Sequence, residues 1–117
     1  MKVLRIVANI ETADPAAAKV FYKDILGLDV LMDHDWISTY GSNQSMRVQV
    51  GFASEGGSDT PVPGLSIEVD DVDEAFAAMS ASAFEIIYGP ANEPWGVRRF
   101  YVRDPFGTIV NILSHRP

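Results

Sequence analysis

The 117-residue chain is broken near its middle by residues 54–63, Ser-Glu-Gly-Gly-Ser-Asp-Thr-Pro-Val-Pro, and the same order of segments stands on either side. Each side offers one helix-length amphipathic stretch for about four strand-length stretches. That ratio constrains the fold more than any single motif does. One helix can cover only one face of a four-stranded sheet, so each half must leave its other face open. Two such faces brought together enclose a cavity, the common form of a small-molecule site.

The segments are legible one by one. Residues 2–10 are β-rich. Asp14-Pro15 then opens a helix, because the Asp side chain can accept from free N–H groups and Pro costs nothing at the first helical position. Ala17, Phe21 and Ile25 share one face at helical spacing, and Gly27 suits a left-handed cap. Strands are predicted at 28–32, 36–40 and 46–52, with turn chemistry in Gly41-Ser42-Asn43. After the break, 65–69 alternates as a strand. Asp71 to Glu74 resembles a capping box, and Val72, Phe76 and Met79 mark the second helix. Strands follow at 84–88, 97–102 and 108–113. The order βαβββ, linker, βαβββ describes a duplicated unit, with module one at 1–53, the linker at 54–63 and module two at 64–117. The fold class is α+β, a single domain with curved mixed sheets around a cavity.

Composition narrows the function. The formal net charge of −7 repels a phosphate backbone, so nucleic-acid binding is not expected and a cationic partner is favoured. With no Cys, a disulfide scaffold, thiolate catalysis and a thiolate zinc site are excluded. No apolar run reaches the ~18 residues of a membrane helix, and the first residues lack a signal-peptide pattern. A cytoplasmic protein without membrane contact is therefore the expectation. No P-loop, dinucleotide glycine pattern or Gly-x-Ser-x-Gly elbow is present.

Four short stretches in order, Phe21-Tyr22 to Gly27-Leu28, Glu68 to Ala75, Pro94-Trp95-Gly96 and Asp104-Pro105-Phe106-Gly107, resemble the vicinal oxygen chelate superfamily. This group contains glyoxalase I, extradiol dioxygenases and bleomycin-resistance proteins. The resemblance spans nearly the whole chain. It implies metal ligands at positions that here are Val7, Gln49, Gly64 and Asn111. Val and Gly carry no donor, and Asn and Gln are neutral, whereas catalytic divalent ions rely on carboxylate or imidazole. No metal and no cofactor are therefore expected. His34 lies in the polar turn Asp33-His34-Asp35, and His115 is near the C-terminus.

If Val7 faces inward, Asn9 does so too, and if Gly64 does, Ser66 and Glu68 follow by alternation. Ile109 and Leu113 share the inner face with Asn111. Glu68 stands out, because a carboxylate on an inner face needs a partner. The resemblance to the bleomycin-resistance branch places Trp36 and Trp95 along a ligand groove, with Tyr40 on the face of Trp36. The candidate ligand-binding set is thus Asn9, Trp36, Tyr40, Gln49, Glu68, Trp95 and Asn111, with no catalytic residue. Arg47, Arg98, Arg99 and Arg103 could bind an anion, but pairing with the many acids is the expectation.

The resulting expectation is a metal-free protein that sequesters an antibiotic-like small molecule, cationic or aromatic, as a homodimer. The alternative is a metal-dependent glyoxalase- or dioxygenase-type enzyme in which Asn111 and Gln49 are helped by His34, Glu68 or a partner chain. A ligand-free structural dimer is the third possibility.

Overall fold

The computed structural model describes residues 7–8, 10–44 and 50–116. Within them the fold is α+β, with two sheets, few helices and no closed barrel. The predicted strands at 2–10 and 46–52 fall largely outside the described residues. Their described remnants, 7, 8, 10 and 50–52, belong to no strand.

The second half has the order strand, helix and three strands. Strand β3 (Leu65–Glu68) leads to α1 (Val72–Ala81), followed by β4 (Ile86–Asn92), β5 (Val97–Arg103) and β6 (Ile109–His115). The sheet order is β3-β6-β5-β4, with β3 parallel to β6 and the other pairs antiparallel. Asp71 caps α1 by accepting from the Glu74 N–H at 3.0 Å. Strand β4 runs further than the pattern predicts, through Gly89 and Pro90. The predicted strand stops at residue 88, but an edge strand tolerates a residue with no N–H to donate.

In the first half, strands β1 (Asp29–His34) and β2 (Ile37–Gly41) form an antiparallel hairpin whose turn is Asp35-Trp36. Trp36 therefore sits in the turn and not at the head of the strand. The first helical segment departs from expectation. A 3₁₀ turn, Pro15–Ala18, runs into a π-helix, Lys19–Ile25. The Asp14 side chain makes no capping hydrogen bond; its backbone carbonyl accepts from the Ala17 N–H instead. The Leu26 N–H reaches back to the Phe21 carbonyl, five residues away. That wider winding lets the neighbours Phe21 and Tyr22 both be buried, which the 3.6-residue period does not anticipate. Gly27 closes the segment at φ +74, the left-handed conformation that glycine adopts freely.

The core joins the halves. Phe21 and Tyr22 pack with Val72 and Met79 of α1 and with Phe100, Val102, Val110 and Ile112 of the sheet. The Phe21 ring meets Phe84 edge-on at 5.1 Å, and Phe76 meets Phe100 similarly at 5.4 Å. Both helical segments thus cover one face of the four-stranded sheet. Leu65, Ile67 and Val69 turn toward this covered face, while Ser66 and Glu68 turn away. No described helix is long and apolar enough to cross a membrane.

Candidate functional site

A pocket of about 500 Å³ opens between the first helical segment, β2 and β3. That size lies within the range of small-molecule sites. Its walls are mostly apolar: Ile10, Leu28, Ile37, Leu65 and Ile67, with the rings of Tyr22, Trp36, Tyr40 and Phe106. Glu11, which is exposed, and Thr12 also line it. Trp36 is 76% exposed, since the hairpin turn that carries it projects from the fold, and its ring lies nearly parallel to that of His34. Tyr22 and Tyr40 stack at 6.4 Å. The pocket thus presents flat apolar surfaces and one acidic group.

Asp104 holds the far wall. Its Oδ1 accepts from the N–H groups of Phe106 and Thr108, both at 2.9 Å, and its Oδ2 accepts from the Tyr22 hydroxyl at 2.8 Å. The Asp-Pro-Phe-Gly turn is thereby tied to the π-helix, and two lining rings, Phe106 and Tyr22, are set by one carboxylate. Burial, then the hydrogen bond to Asp104 and its charge, pushes the Tyr22 phenol well above its ordinary pKa.

The other proposed ligand contacts lie on the opposite, open face of the four-stranded sheet. Asn111 is buried on β6, its Nδ2 donating to Ser66 Oγ at 3.2 Å. Its Oδ1 has no hydrogen-bond partner among the described residues. Glu68 is exposed and has a partner in His115, 2.9 Å away. Trp95 lies over the Arg99 guanidinium at 5.0 Å. Trp36 and Tyr40 are therefore brought together, as are Asn111 and Ser66, but the two groups are divided by the sheet. Asn9 and Gln49 lie outside the described residues, as does Arg47.

The three arginines of β5 are paired. Arg98 bonds Asp73, Arg103 bonds Glu85, and the nearly buried Arg99 faces Glu93 at 3.5 Å. Glu93 is 4% exposed and accepts from the hydroxyls of Ser58 and Tyr88. Burial alone would raise its pKa; the hydrogen bonds from Ser58 and Tyr88 and the Arg99 charge outweigh this and hold it below the ordinary value. Tyr88 is raised in turn, chiefly by its bond to Glu93. Arg99 also donates to the Tyr101 hydroxyl at 2.9 Å. Sequence patterning overlooked Glu11, Tyr22, Glu93 and Tyr101. Alternation along β5 from Arg99 would have placed Tyr101 on the open face, and Glu93 directly precedes Pro94-Trp95-Gly96. Nothing local marks Glu11, which reads as loop.

The chain belongs to the glyoxalase/bleomycin resistance protein/dioxygenase superfamily, whose family model matches residues 4–112. Among solved structures it is similar to TnmS3, an antibiotic binding protein from Streptomyces sp. CB03234, at 23% identity and a TM-score of 0.67, covering 98% of this chain and 96% of that one. A glyoxalase/bleomycin resistance protein from Streptomyces sp. CB03234 matches at 26% identity and TM-score 0.60, over 88% and 93% of the two chains. Lactoylglutathione lyase from Agrobacterium tumefaciens matches at 20% identity and TM-score 0.63, over 97% and 92%. No curated protein matches.

The superfamily includes metal-dependent enzymes, so the donor set matters. Of the positions the resemblance points to, Val7 has no donor, Gly64 uses its N–H on the Ile109 carbonyl, and Asn111 offers one neutral oxygen. No group of three or more His, Asp or Glu side chains with metal-site geometry exists among the described residues. These residues do not fit a catalytic divalent ion, which needs carboxylate or imidazole ligands.

Proposed function

We propose that this protein binds a small, flat, cationic or aromatic molecule of antibiotic type without a metal, and acts by sequestering it. The observation that carries the reading is the pocket of about 500 Å³ lined by Tyr22, Trp36, Tyr40 and Phe106, with Glu11 among its lining residues. Aromatic faces attract planar and cationic groups, and a net charge of −7 raises the local concentration of cations. Binding of this kind requires no bond to change. The similarity to an antibiotic binding protein supports the reading through the shared fold.

The proposal includes a cytoplasmic homodimer built from modules 1–53 and 64–117 joined by 54–63. Glu68, Trp95 and Asn111 lie across the sheet from the pocket, so only a second chain can add them to it. Protection of a host from the bound compound would follow from sequestration.

Titration with a panel of planar aromatic and glycopeptide antibiotics tests this, read by calorimetry and Trp fluorescence. At least one compound is expected to bind saturably with a change in Trp36 emission. Trp36→Ala should weaken binding roughly two- to tenfold, as loss of a stacked ring costs about 0.5–1.5 kcal/mol. Silence across the panel refutes the proposal. A stoichiometric divalent ion in untagged protein favours the rival, a metal-dependent enzyme of the same superfamily.

A further inference from the structure

Residues 56–60 of the linker lie on the open face of the four-stranded sheet. Gly57, Ser58 and Asp59 have φ values of 80, 51 and 60, three left-handed residues in succession. Two of them carry side chains that disfavour this conformation. The Gly56 N–H donates to the Thr60 carbonyl and the Thr60 N–H to the Gly57 carbonyl, closing a small loop. Its contacts with the sheet are polar. The Ser58 hydroxyl donates to Glu93 Oε2, Arg99 Nη2 donates to the Gly57 carbonyl at 3.3 Å, and the Thr60 and Tyr101 hydroxyls meet at 3.0 Å. The Trp95 ring presses so close that a Cβ on Gly57 would come within 2.8 Å of it.

We propose that 56–60 is a displaceable strap occupying a second binding face centred on Arg99. Two features separate a strap from fixed structure. Its hold is a handful of hydrogen bonds set against an unfavourable backbone, with little apolar burial: Ser58 and Asp59 are exposed and only Thr60 is buried. The face beneath it keeps part of its own pairing without it: Arg99 keeps its bond to Tyr101 and its charge contact with Glu93, and Glu93 keeps Tyr88, while Arg99 Nε has no hydrogen-bond partner among the described residues even with the strap in place. Removing the strap frees one donor on Arg99, the Tyr101 hydroxyl and one oxygen of Glu93, with the Trp95 ring beside them. A ligand that takes its place must offer what it offers, a peptide-type carbonyl acceptor for Arg99 and an adjoining hydroxyl donor for Glu93. This inference does not rest on the pocket between the first helical segment and β2, which lies across the sheet.

Two measurements on the full chain decide it. In native-state hydrogen exchange, the Gly56 and Thr60 amides should open with far less protection than the amides of β5 and β6. Ser58→Ala should speed their exchange about tenfold, as expected for a lost hydrogen bond to a carboxylate, while the core amides stay unchanged. Strap amides that exchange only with global unfolding overturn the proposal. The second measurement uses Gly56→Ala. A Cβ there would collide with the Pro61 carbonyl oxygen and Thr60 Oγ1, which breaks the closed form of the loop, and with the Tyr101 hydroxyl of the sheet, so the strap cannot keep its present seat on the face. Phenylglyoxal labelling mapped by mass spectrometry should then find Arg99 reactive in the variant and protected in the wild type, with Arg98 and Arg103 as internal references. The acetylated and amidated peptide Gly-Gly-Ser-Asp-Thr at millimolar concentration should restore protection. An unreactive Arg99 in folded Gly56→Ala, or reactivity indifferent to the peptide, overturns the assignment.

Discussion

Asp104→Ala should destabilise the fold far more than its place in a surface turn suggests. The carboxylate is 4% exposed and accepts three hydrogen bonds, two from turn N–H groups at 2.9 Å and one from the Tyr22 hydroxyl at 2.8 Å. Hydrogen bonds to a charged acceptor contribute about 1.5–3 kcal/mol each, and a buried hydroxyl left unpaired costs about 1–3 kcal/mol. The two turn N–H groups belong to half-buried residues within reach of water, so their loss counts at the low end. The Tyr22 hydroxyl, in a residue 8% exposed, has no such relief. The expected loss is about 3–5 kcal/mol, a large share of the roughly 5–15 kcal/mol that holds a domain together. Asp104→Asn should recover about half of it, because an amide oxygen can still accept from the turn while its nitrogen donates to Tyr22. Urea unfolding followed by circular dichroism gives the values. A cycle with Tyr22→Phe should show a coupling of about 1–3 kcal/mol. Asp104→Ala within about 1 kcal/mol of wild type, or no coupling to Tyr22, would refute the claim that this carboxylate ties the turn to the π-helix and sets the pocket wall.

Other outcomes follow from the same structure. Tyr22 and Tyr88 both have folded pKa values raised above the ordinary tyrosine value of about 10, so their contribution to stability is whole below that pH and is lost as pH rises past it. Phenolate absorbance should show Tyr22 and Tyr88 titrating late in the native protein, and the Tyr22 step missing in Tyr22→Phe. Glu93 has a folded pKa held below its unfolded value of about 4.3, so its contribution is present above that pH and lost as pH falls through the folded value. Glu93→Gln should flatten this acid limb of the stability curve; an unchanged limb means other carboxylates dominate it. Met79→Ala removes a fully buried side chain between the helices and the sheet and should cost about 2–5 kcal/mol by chemical denaturation. Exhaustive chelation should leave the melting temperature unaltered, and a fall of several degrees would contradict the metal-free proposal.

Much of the fold is readable because it rests on local periodicity. Alternation in Leu65, Ile67 and Val69 assigns a covered face, and the capping pattern at Asp71 opens α1 where the structure has it. The motif Asp104 to Gly107 makes the turn it promises. The first helical segment is different. Its apolar residues satisfy a 3.6-residue period, yet Phe21 and Tyr22 are adjacent and both buried, so the chain winds more widely to serve them. Trp36 looks like the first residue of a strand by composition but lies in a two-residue turn, because hairpin pairing begins at Ile37 with His34.

Residue types alone excluded thiolate chemistry, which needs a Cys, and put Val7, Gly64 and Asn111 where a catalytic ion would call for charged or imidazole donors. Alternation likewise told which side of each strand a residue takes. Which side meets which element is a long-range property, and no pattern along the chain contains it. Only packing put Trp36 and Tyr40 across the sheet from Asn111 and Trp95, joined Tyr22 to Asp104, 82 positions away, and laid the linker over Arg99. Those contacts minimise exposed apolar area and unpaired buried charge over the whole molecule at once, so they are decided where distant segments meet.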